Sequence, residues 1–206
     1  MRFLITAGPT REYLDPVRFL SNASSGRMGC ALARAAKAKG HWVSLVLGPA
    51  SAEPPGVDER VPVTSAADMY EAVLARFDGC DVFVAAAAVC DYRPAEREER
   101  KIKKTEGRIA LELERTTDIL LQMSKRRRRQ TLIGFCLETE DLERRAREKL
   151  EVKQLDLVVA NGPEAIDAPR QDALILARGG QREVLQNVTK EELAEAILAA
   201  AVRRRR

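Results

Sequence analysis

Aromatic residues and long hydrophobic runs are both scarce in this sequence. Phe, Trp and Tyr together make up 4% of the 206 residues, so few side chains are available to stack on nucleic-acid bases. No apolar stretch approaches the length that crosses a bilayer, and the first residues lack the long apolar region of a secretory signal. We therefore expect a cytoplasmic protein that binds neither nucleic acid nor a membrane.

Cysteine and histidine are too sparse for a metal centre. Four cysteines are spread through the chain without a C-x-x-C pair, at Cys30, Cys80, Cys90 and Cys136. This spacing favours neither a zinc site nor a disulfide framework, and unpaired thiols are typical of a reducing compartment. His41 is the only histidine and begins a predicted strand. We therefore predict no dedicated metal ligands and assign no histidine general base.

The net charge of +4 is concentrated in two basic runs. Residues 125–129 and 203–206 hold nine positive charges, and without them the net charge would be −5. Runs of like charge are usually solvated surface, and we interpret these two in that way. A nucleic-acid-binding module that uses the two runs is one alternative function, and it predicts steeply salt-dependent binding.

Short apolar runs alternate with helical patterns along most of the chain. Strands are predicted at residues 2–8, 42–47, 61–63, 82–89, 109–113, 131–137 and 155–160. Helices are predicted at residues 26–39, closed by Gly40, at 65–77, capped by Ser65, at 116–123, capped by Thr116 or Thr117, and at 141–152. The run at 82–89 is apolar throughout, as expected of a central parallel strand covered on both faces. The alternation predicts an α/β fold with a Rossmann-like, doubly wound and mostly parallel sheet.

The C-terminal part has a different pattern. Residues 173–177 and 184–188 flank a pair of glycines, which predicts a β-hairpin, and a terminal helix is predicted at residues 190–202. A charged and mobile loop is predicted at residues 90–105. Because the sequence has neither an internal repeat nor a linker, residues 1–206 are predicted to form one domain.

A glycine-bearing segment, SSGRMG at residues 24–29, lies where the first predicted loop becomes the first helix. The N-terminus of a helix offers free N–H groups and a positive dipole end, and glycines let a phosphate approach the backbone. The segment is therefore a candidate phosphate site. Glycines at such a turn equally serve close packing of a helix on a strand, so this signal alone leaves both interpretations open.

The usual nucleotide fingerprints are missing. A dinucleotide-binding fold places an acidic residue at the end of its second strand, where this sequence has Leu47 and Gly48. A short-chain dehydrogenase carries Tyr-x-x-x-Lys, yet none of Tyr13, Tyr70 and Tyr92 is followed by a lysine at that spacing, and no Walker A loop is present. These observations favour a mononucleotide over NAD. An NAD(P)-dependent reductase on the same fold is the alternative enzyme.

Six motifs together point to one family. They are TAGPTRE at residues 6–12, DPVR at 15–18, SNASSG at 21–26, AAAVCDY at 86–92, KIKK at 101–104 and GFCLET at 134–139. In this order, across residues 2–161, the motifs resemble bacterial phosphopantothenate–cysteine ligases. The resemblance implies that the chain joins 4′-phosphopantothenate to L-cysteine. CTP, accompanied by Mg²⁺, would activate the pantothenate carboxylate as an acyl-cytidylate with loss of pyrophosphate, and the cysteine amine would then displace CMP.

The resemblance also implies particular positions for binding. Nucleotide-binding positions are Gly8, Ser24, Gly26, Gly29, Asp91, Lys101, Thr117, Asp118, Ile119, Leu120, Phe135, Lys149, Lys153 and Asn161. Phosphopantothenate-binding positions are Arg18, Asn22, Ala87, Ala88 and Asp91. Lys149 and Lys153 are four residues apart on a predicted helix, so they project from one face. Phe135 is open to a second interpretation, as an aromatic residue of the core.

Three positions, Asn22, Lys101 and Arg18, would be catalytic. The Asn22 amide, which both donates and accepts hydrogen bonds, would hold the carboxylate and later the acyl phosphate. Lys101 lies in an active-site flap at residues 101–104, and it would close on the intermediate and favour amide formation. Arg18 would reach across a homodimer to the neighbour's substrate. Alternatively, Arg18 stabilises its own loop through Asp15.

Two features of the chain depart from the usual family pattern. In many bacteria this ligase domain follows a flavin-dependent decarboxylase in one chain, and no such segment precedes it here. The expectation is therefore a stand-alone ligase without flavin, beside a separate phosphopantothenoylcysteine decarboxylase. The resemblance also weakens after Asn161, where Gly162 follows and residues 166–173 read IDAPRQDA. The detail of a nucleoside pocket at that edge is left open.

Overall fold

The computed structural model describes residues 1–104 and 106–204. Its strands are β1 (Arg2–Ala7), β2 (Arg11–Tyr13), β3 (Phe19–Ser21), β4 (Trp42–Leu47), β5 (Glu59–Pro62), β6 (Val82–Ala85), β7 (Tyr92–Pro94), β8 (Leu113–Arg115), β9 (Thr131–Leu137), β10 (Leu157–Asn161), β11 (Gln171–Ala177) and β12 (Arg182–Val188). Its α-helices are α1 (Arg27–Ala38), α2 (Ala66–Phe77), α3 (Ile119–Arg126), α4 (Leu142–Val152) and α5 (Lys190–Arg203). A short 3-10 turn covers Pro163–Ala165.

Eight strands form one central sheet, in the order β12-β11-β10-β9-β6-β1-β4-β5. Neighbours from β5 to β10 are parallel, whereas β11 and β12 are antiparallel. Helices α1 and α5 cover one face, over buried side chains such as Phe3 and Ile5. Helices α2, α3 and α4 cover the other face, over Leu4 and Phe83. The predicted α/β fold, with a doubly wound sheet, a C-terminal hairpin and a terminal helix, is confirmed.

The sequence signals at most helix ends match the structure. Ser65 caps α2 as predicted, because its hydroxyl accepts a hydrogen bond from the Asp68 N–H at 3.1 Å. Gly40 follows α1 with a φ of +75°, a conformation that glycine adopts without strain. The predicted threonine cap of α3 is wrong. Asp118 caps this helix instead, and its carboxylate accepts a hydrogen bond from the Leu121 N–H at 3.0 Å.

Two predicted strands differ from the structure by more than two residues at one end. The strand expected at 82–89 ends at Ala85, because β1 beside it ends at Ala7 and is followed by Gly8, with a φ of +79°, and by Pro9, which has no N–H for a ladder. The strand expected at 109–113 is replaced by β8 at Leu113–Arg115, which pairs only with β7. Ile109 is 57% exposed, so the alternating pattern there faces solvent and not a sheet.

Two small antiparallel ribbons lie outside the central sheet. Strands β2 and β3 pair with each other, as do β7 and β8. The sequence patterns predicted loops over both β2 and β3 and over β7, since three-residue strands are too short to show periodicity. The aromatic rings of Tyr13 and Phe19 meet across the first ribbon at 5.4 Å between centroids. Within the described ranges, no helix combines the length and apolar character needed to span a bilayer.

The basic runs are partly engaged in ion pairs. Arg126 pairs with Asp78 at 2.5 Å, and Arg127 pairs with Asp156 at 2.7 Å. Arg203 lies 3.7 Å from the Glu183 carboxylate, while residues 205 and 206 of the second run lie outside the described residues. Position 105, the end of the predicted charged loop, lies outside them as well.

Candidate active site

A cleft of about 850 Å³ opens at the carboxyl ends of the central strands. Thr6 of β1, Ala85 of β6, Phe135 of β9 and Asn161 of β10 contribute to its walls. Strands β1 and β6 are neighbours from which the chain winds in opposite directions, so the cleft lies at the switch point of the sheet. Open α/β sheets bind their ligands at this position.

Most of the binding positions that the resemblance implies meet in this cleft. They are Asn22, Ser24, Gly26, Ala87, Ala88, Asp91, Thr117, Asp118, Ile119, Leu120, Phe135, Lys149, Lys153 and Asn161. Four assigned residues lie outside its lining, and these are Gly8, Gly29, Arg18 and Lys101. The structure thus brings together segments that are up to about 140 residues apart in sequence, which periodicity alone could not show.

The glycines of the first motifs allow close packing around the start of α1. Gly26 has a φ of +81°, and a Cβ there would lie 2.7 Å from the Ala50 Cβ. A Cβ at Gly29 would lie 2.9 Å from the Ala7 Cα, so this glycine lets α1 lie directly on β1. Gly8, with a φ of +79°, faces the Gly48 carbonyl in the same way. Gly8 and Gly29 therefore shape the floor beneath the cleft.

The start of α1 itself faces the cleft. Ser24, Ser25 and Arg27 line it, and the helix begins at Arg27 without a side-chain cap on its first N–H groups. Uncapped N–H groups at a helix N-terminus, with the positive end of the helix dipole, bind phosphate oxygens well. The geometry is that of an anion site.

Asn22 is fixed against the loop that follows β6. Its Nδ2 donates hydrogen bonds to the Val89 carbonyl at 3.0 Å and the Ala88 carbonyl at 3.3 Å. The Ala87 N–H donates to Thr6 Oγ1 at 3.2 Å, and the Ala88 N–H donates to the Gly8 carbonyl at 3.0 Å. Because these N–H groups are occupied, Ala87 and Ala88 offer a small, apolar wall and not a pair of hydrogen-bond donors. Because Asn22 Nδ2 is held by these two carbonyls, the Asn22 amide oxygen faces away from them.

Lys149 of α4 and Lys153, the residue that ends this helix, both bring positive charge to the cleft, as their spacing predicted. Lys149 Nζ donates to the Phe135 carbonyl at 2.5 Å, and Lys153 Nζ lies 2.7 Å from Asp118 Oδ2. Burial, followed by the nearby charge of Lys153, lowers the pKa of Lys149 below its ordinary value. Burial raises the pKa of Asp118, but the bonds from Lys153 and Leu121 outweigh it and the net shift is downward.

The cleft is also lined by three basic residues that the motifs did not single out, and these are Arg27, Arg115 and Lys190. Lys190 Nζ donates to the Ala165 carbonyl at 3.1 Å and to Gln171 Oε1 at 3.2 Å. Burial lowers its pKa, and the charge of Asp167 opposes that effect. Lys190 is the first residue of the terminal helix, and the only signal for it in the sequence was that helix start.

Arg18 and Lys101 lie outside the lining of the cleft, on two segments that contact each other at Ile102. Arg18 Nη1 contacts Asp15 Oδ2 at 2.5 Å and donates to the Ile102 carbonyl at 3.0 Å. Lys101 is exposed. In a single chain Arg18 therefore holds its own loop through Asp15, which is the alternative considered from the sequence, and it also holds the flap.

The remaining titratable residues do not form a metal centre. Among residues 1–104 and 106–204, no group of three or more His, Cys, Asp and Glu side chains could hold a metal ion. The four cysteines are all buried. His41 stacks on Phe3 at 5.1 Å between ring centroids, away from the cleft, and burial followed by the charged N-terminus lowers its pKa.

The chain is a doubly wound α/β protein with a cleft at the switch point of its sheet, and the uncapped start of α1 faces this cleft. Comparison with known proteins identifies the family, because the model named DFP, "DNA/pantothenate metabolism flavoprotein C-terminal domain", matches residues 1–204. The chain belongs to this family. The resemblance seen in the six motifs is confirmed at this level.

Several relatives are similar over almost the whole chain. The Coenzyme A biosynthesis bifunctional protein CoaBC of Bacillus subtilis is 44% identical over 95% of this chain, which covers 49% of that protein. A crystal structure of the C-terminal domain of a CoaBC protein is 40% identical, with a TM-score of 0.84, and the match covers 96% of this chain and 92% of the other. The DNA/pantothenate metabolism flavoprotein of Streptococcus pneumoniae is 25% identical, with a TM-score of 0.87, over 100% of both chains. The chain spans about half the length of the curated relatives it matches.

Proposed function

We propose that this chain is the ligase of coenzyme A biosynthesis that joins 4′-phosphopantothenate to L-cysteine with CTP. The observation that carries the proposal is the convergence, in one cleft, of the binding positions that the resemblance implies. They come from the loop before α1, the loop after β6, the start of α3, β9 and α4. Membership of the family, with relatives named for coenzyme A biosynthesis, supports the same conclusion.

The first step forms the acyl-cytidylate. A carboxylate oxygen of phosphopantothenate attacks the α-phosphorus of CTP, and pyrophosphate leaves. The free N–H groups at the start of α1 would bind phosphate oxygens, and Lys149 and Lys153 would neutralise negative charge on the nucleotide. To keep the carboxylate beside the α-phosphorus, Asn22 Nδ2, which donates to the Val89 carbonyl at 3.0 Å, would turn and donate to a carboxylate oxygen. Mg²⁺ would enter with the triphosphate, since Mg²⁺ in such complexes keeps several water ligands.

The second step forms the amide. The amine nitrogen of cysteine attacks the acyl carbon, CMP leaves with the electron pair of the broken bond, and the amine loses a proton. Lys101 would act here, because it is exposed on the segment that resembles the flap, and the flap would close on the intermediate. Arg18 would grip a phosphate or carboxylate of the neighbouring subunit's substrate with its planar guanidinium. A homodimer with shared sites is therefore part of the proposal.

Product analysis tests the function. The purified chain, given phosphopantothenate, cysteine, CTP and Mg²⁺ without flavin, should yield phosphopantothenoylcysteine and CMP by mass spectrometry. CTP should raise the melting temperature while NADPH leaves it unchanged, which separates the ligase from a reductase on the same fold. Stabilisation by NADPH alone, without amide product, would refute the proposal.

A further inference from the structure

The carboxylate of Asp15 is completely buried although it lies in a surface loop between β2 and β3. Its Oδ1 accepts hydrogen bonds from the N–H groups of Val17 at 2.7 Å and Arg18 at 2.8 Å. These two bonds make an ordinary local turn, in which an aspartate caps its own loop. A turn of this kind needs only one carboxylate oxygen.

The second oxygen serves a distant segment. Asp15 Oδ2 accepts a hydrogen bond from the Ile102 N–H, 87 residues away in sequence, at 3.0 Å. The same oxygen contacts Arg18 Nη1, and Arg18 Nη1 in turn donates to the Ile102 carbonyl at 3.0 Å. Both polar groups of the Ile102 backbone are therefore held by the Asp15–Arg18 pair. Ile102 is half-buried, whereas Lys101, Lys103 and Lys104 around it are exposed.

We propose that Asp15 is a positioning residue that anchors the flap at Ile102 and sets Arg18 beside it. A fully buried carboxylate is costly unless donors surround it, and here the donors come from both segments that carry the proposed catalytic side chains. The anchor leaves the lysines free to move while fixing the point about which they move. It also fixes Arg18 Nη1, and the rest of the guanidinium stays accessible with the side chain 41% exposed.

The donors explain the state of the Asp15 carboxyl. Burial alone would raise its pKa, but the N–H groups of Val17, Arg18 and Ile102, with the Arg18 guanidinium, bring the pKa far below its ordinary value. The carboxylate thus stays ionised at any pH at which the protein would work. The anchor is a permanent part of the fold and is not switched by a proton.

The role rests on the proposed function, but its first test does not need activity. Native-state hydrogen exchange, resolved to single amides, should show the Ile102 N–H exchanging at least about tenfold more slowly than those of Lys103 and Lys104, as expected of a bond to a buried charged acceptor. The Ala66 N–H, which donates to the buried Glu12 carboxylate at 2.8 Å, is the internal reference. Equal exchange at Ile102 and its neighbours in the wild-type protein would overturn the proposal.

Asp15→Asn supplies the second test, with the exposed Glu98→Gln as the matched control on the same segment. The asparagine keeps one acceptor oxygen for the local turn and loses the charge that holds Ile102 and Arg18. We expect lost protection at Ile102 with retained protection at Ala66, and a fall in amide formation at least tenfold larger than the fall in pyrophosphate release. Equal loss of both partial reactions, with Ile102 still protected, would mean that Asp15 does not position the flap. If the wild-type protein protects the Ile102 N–H but has no ligase activity, only the proposed function would be refuted.

Discussion

The Lys149 ammonium donates a hydrogen bond to the Phe135 carbonyl at 2.5 Å, which ties helix α4 to the end of strand β9 within the cleft. The Lys149 side chain is half-buried, and its pKa is lowered by burial and by the charge of Lys153. A partly buried ammonium has lost part of its hydration, so a bound anion stabilises its charged form. We therefore expect Lys149 to contribute to nucleotide binding, and this contribution can be measured.

Replacing Lys149 with methionine should weaken CTP binding by about tenfold or more, because a partly desolvated charge opposite a phosphate is removed. Isothermal titration calorimetry measures the change. Lys125→Met removes an equally long lysine that is exposed on α3, and it should leave the affinity unchanged. The same affinity in both variants would mean that Lys149 does not contact the nucleotide.

The pH dependence of binding provides a check on the same residue. CTP should bind the protonated ammonium, and the pKa of Lys149 is lower than that of an ordinary lysine. Affinity should therefore fall as the pH rises through this lowered pKa, at a lower pH than for an ordinary lysine. In Lys149→Met the fall should be smaller. Identical pH profiles in the wild type and in Lys149→Met would mean that another group causes the fall in affinity.

Asn22→Asp should lower ligase activity roughly a hundredfold or more, because the carboxylate can no longer donate to two backbone carbonyls and would repel the substrate carboxylate. The Asn22 amide donates to Ala88 and Val89 in the wild type. CTP affinity should change little, since these contacts lie on the phosphopantothenate side. Initial-rate assays and calorimetry on one preparation separate the two effects, and near-normal activity would contradict the role of Asn22.

A mixed dimer tests the shared site. Arg18→Ala and Asn22→Asp chains, each inactive alone, should regain activity when mixed, because one site of each heterodimer would keep both native residues if Arg18 acts across the interface. If Arg18 acts within its own chain, as its bond to Asp15 also allows, each heterodimer site carries one mutation and the mixture stays inactive. Sedimentation of an active monomer would exclude sharing.

Gly29→Ala should lower the free energy of unfolding by about 1–3 kcal/mol, as overpacking typically does. A Cβ there would lie 2.9 Å from the Ala7 Cα and 3.1 Å from the Thr6 carbonyl oxygen. In an uncrowded helix the same change would stabilise by up to about 1 kcal/mol. Gly56→Ala is the control, because nothing lies within 4 Å of its added Cβ. Urea unfolding measures both, and a stabilised Gly29→Ala would show that α1 does not rest on β1 so closely.

The buried elements could be predicted from the sequence because their patterns have physical causes. The apolar runs at 42–47 and 131–137 match β4 and β9 residue for residue, since both strands are covered on two faces. Ser65 and Gly40 mark helix ends through local hydrogen bonding and backbone freedom, which depend little on the rest of the chain. The ribbons β2–β3 and β7–β8 could not be predicted, because their three-residue strands have no periodicity and depend on one another.

The site was predictable only in part. Motifs located Asn22 and Phe135, but no periodic pattern could bring them into one cleft. Lys190 was missed, because a lysine at the start of a terminal helix has the sequence signature of ordinary surface. The bond between Asp15 and Ile102 joins two loops, and pairing between loops leaves no signal in one sequence.

Pyrophosphate release with each nucleoside triphosphate tests the central claim most directly. With phosphopantothenate and CTP but no cysteine, the account predicts a burst limited by the amount of enzyme, because the acyl-cytidylate stays bound. Adding cysteine should convert the burst into continuous release, while ATP, GTP and UTP should support much slower release. No phosphopantothenate-dependent pyrophosphate with any of the four triphosphates would contradict the account.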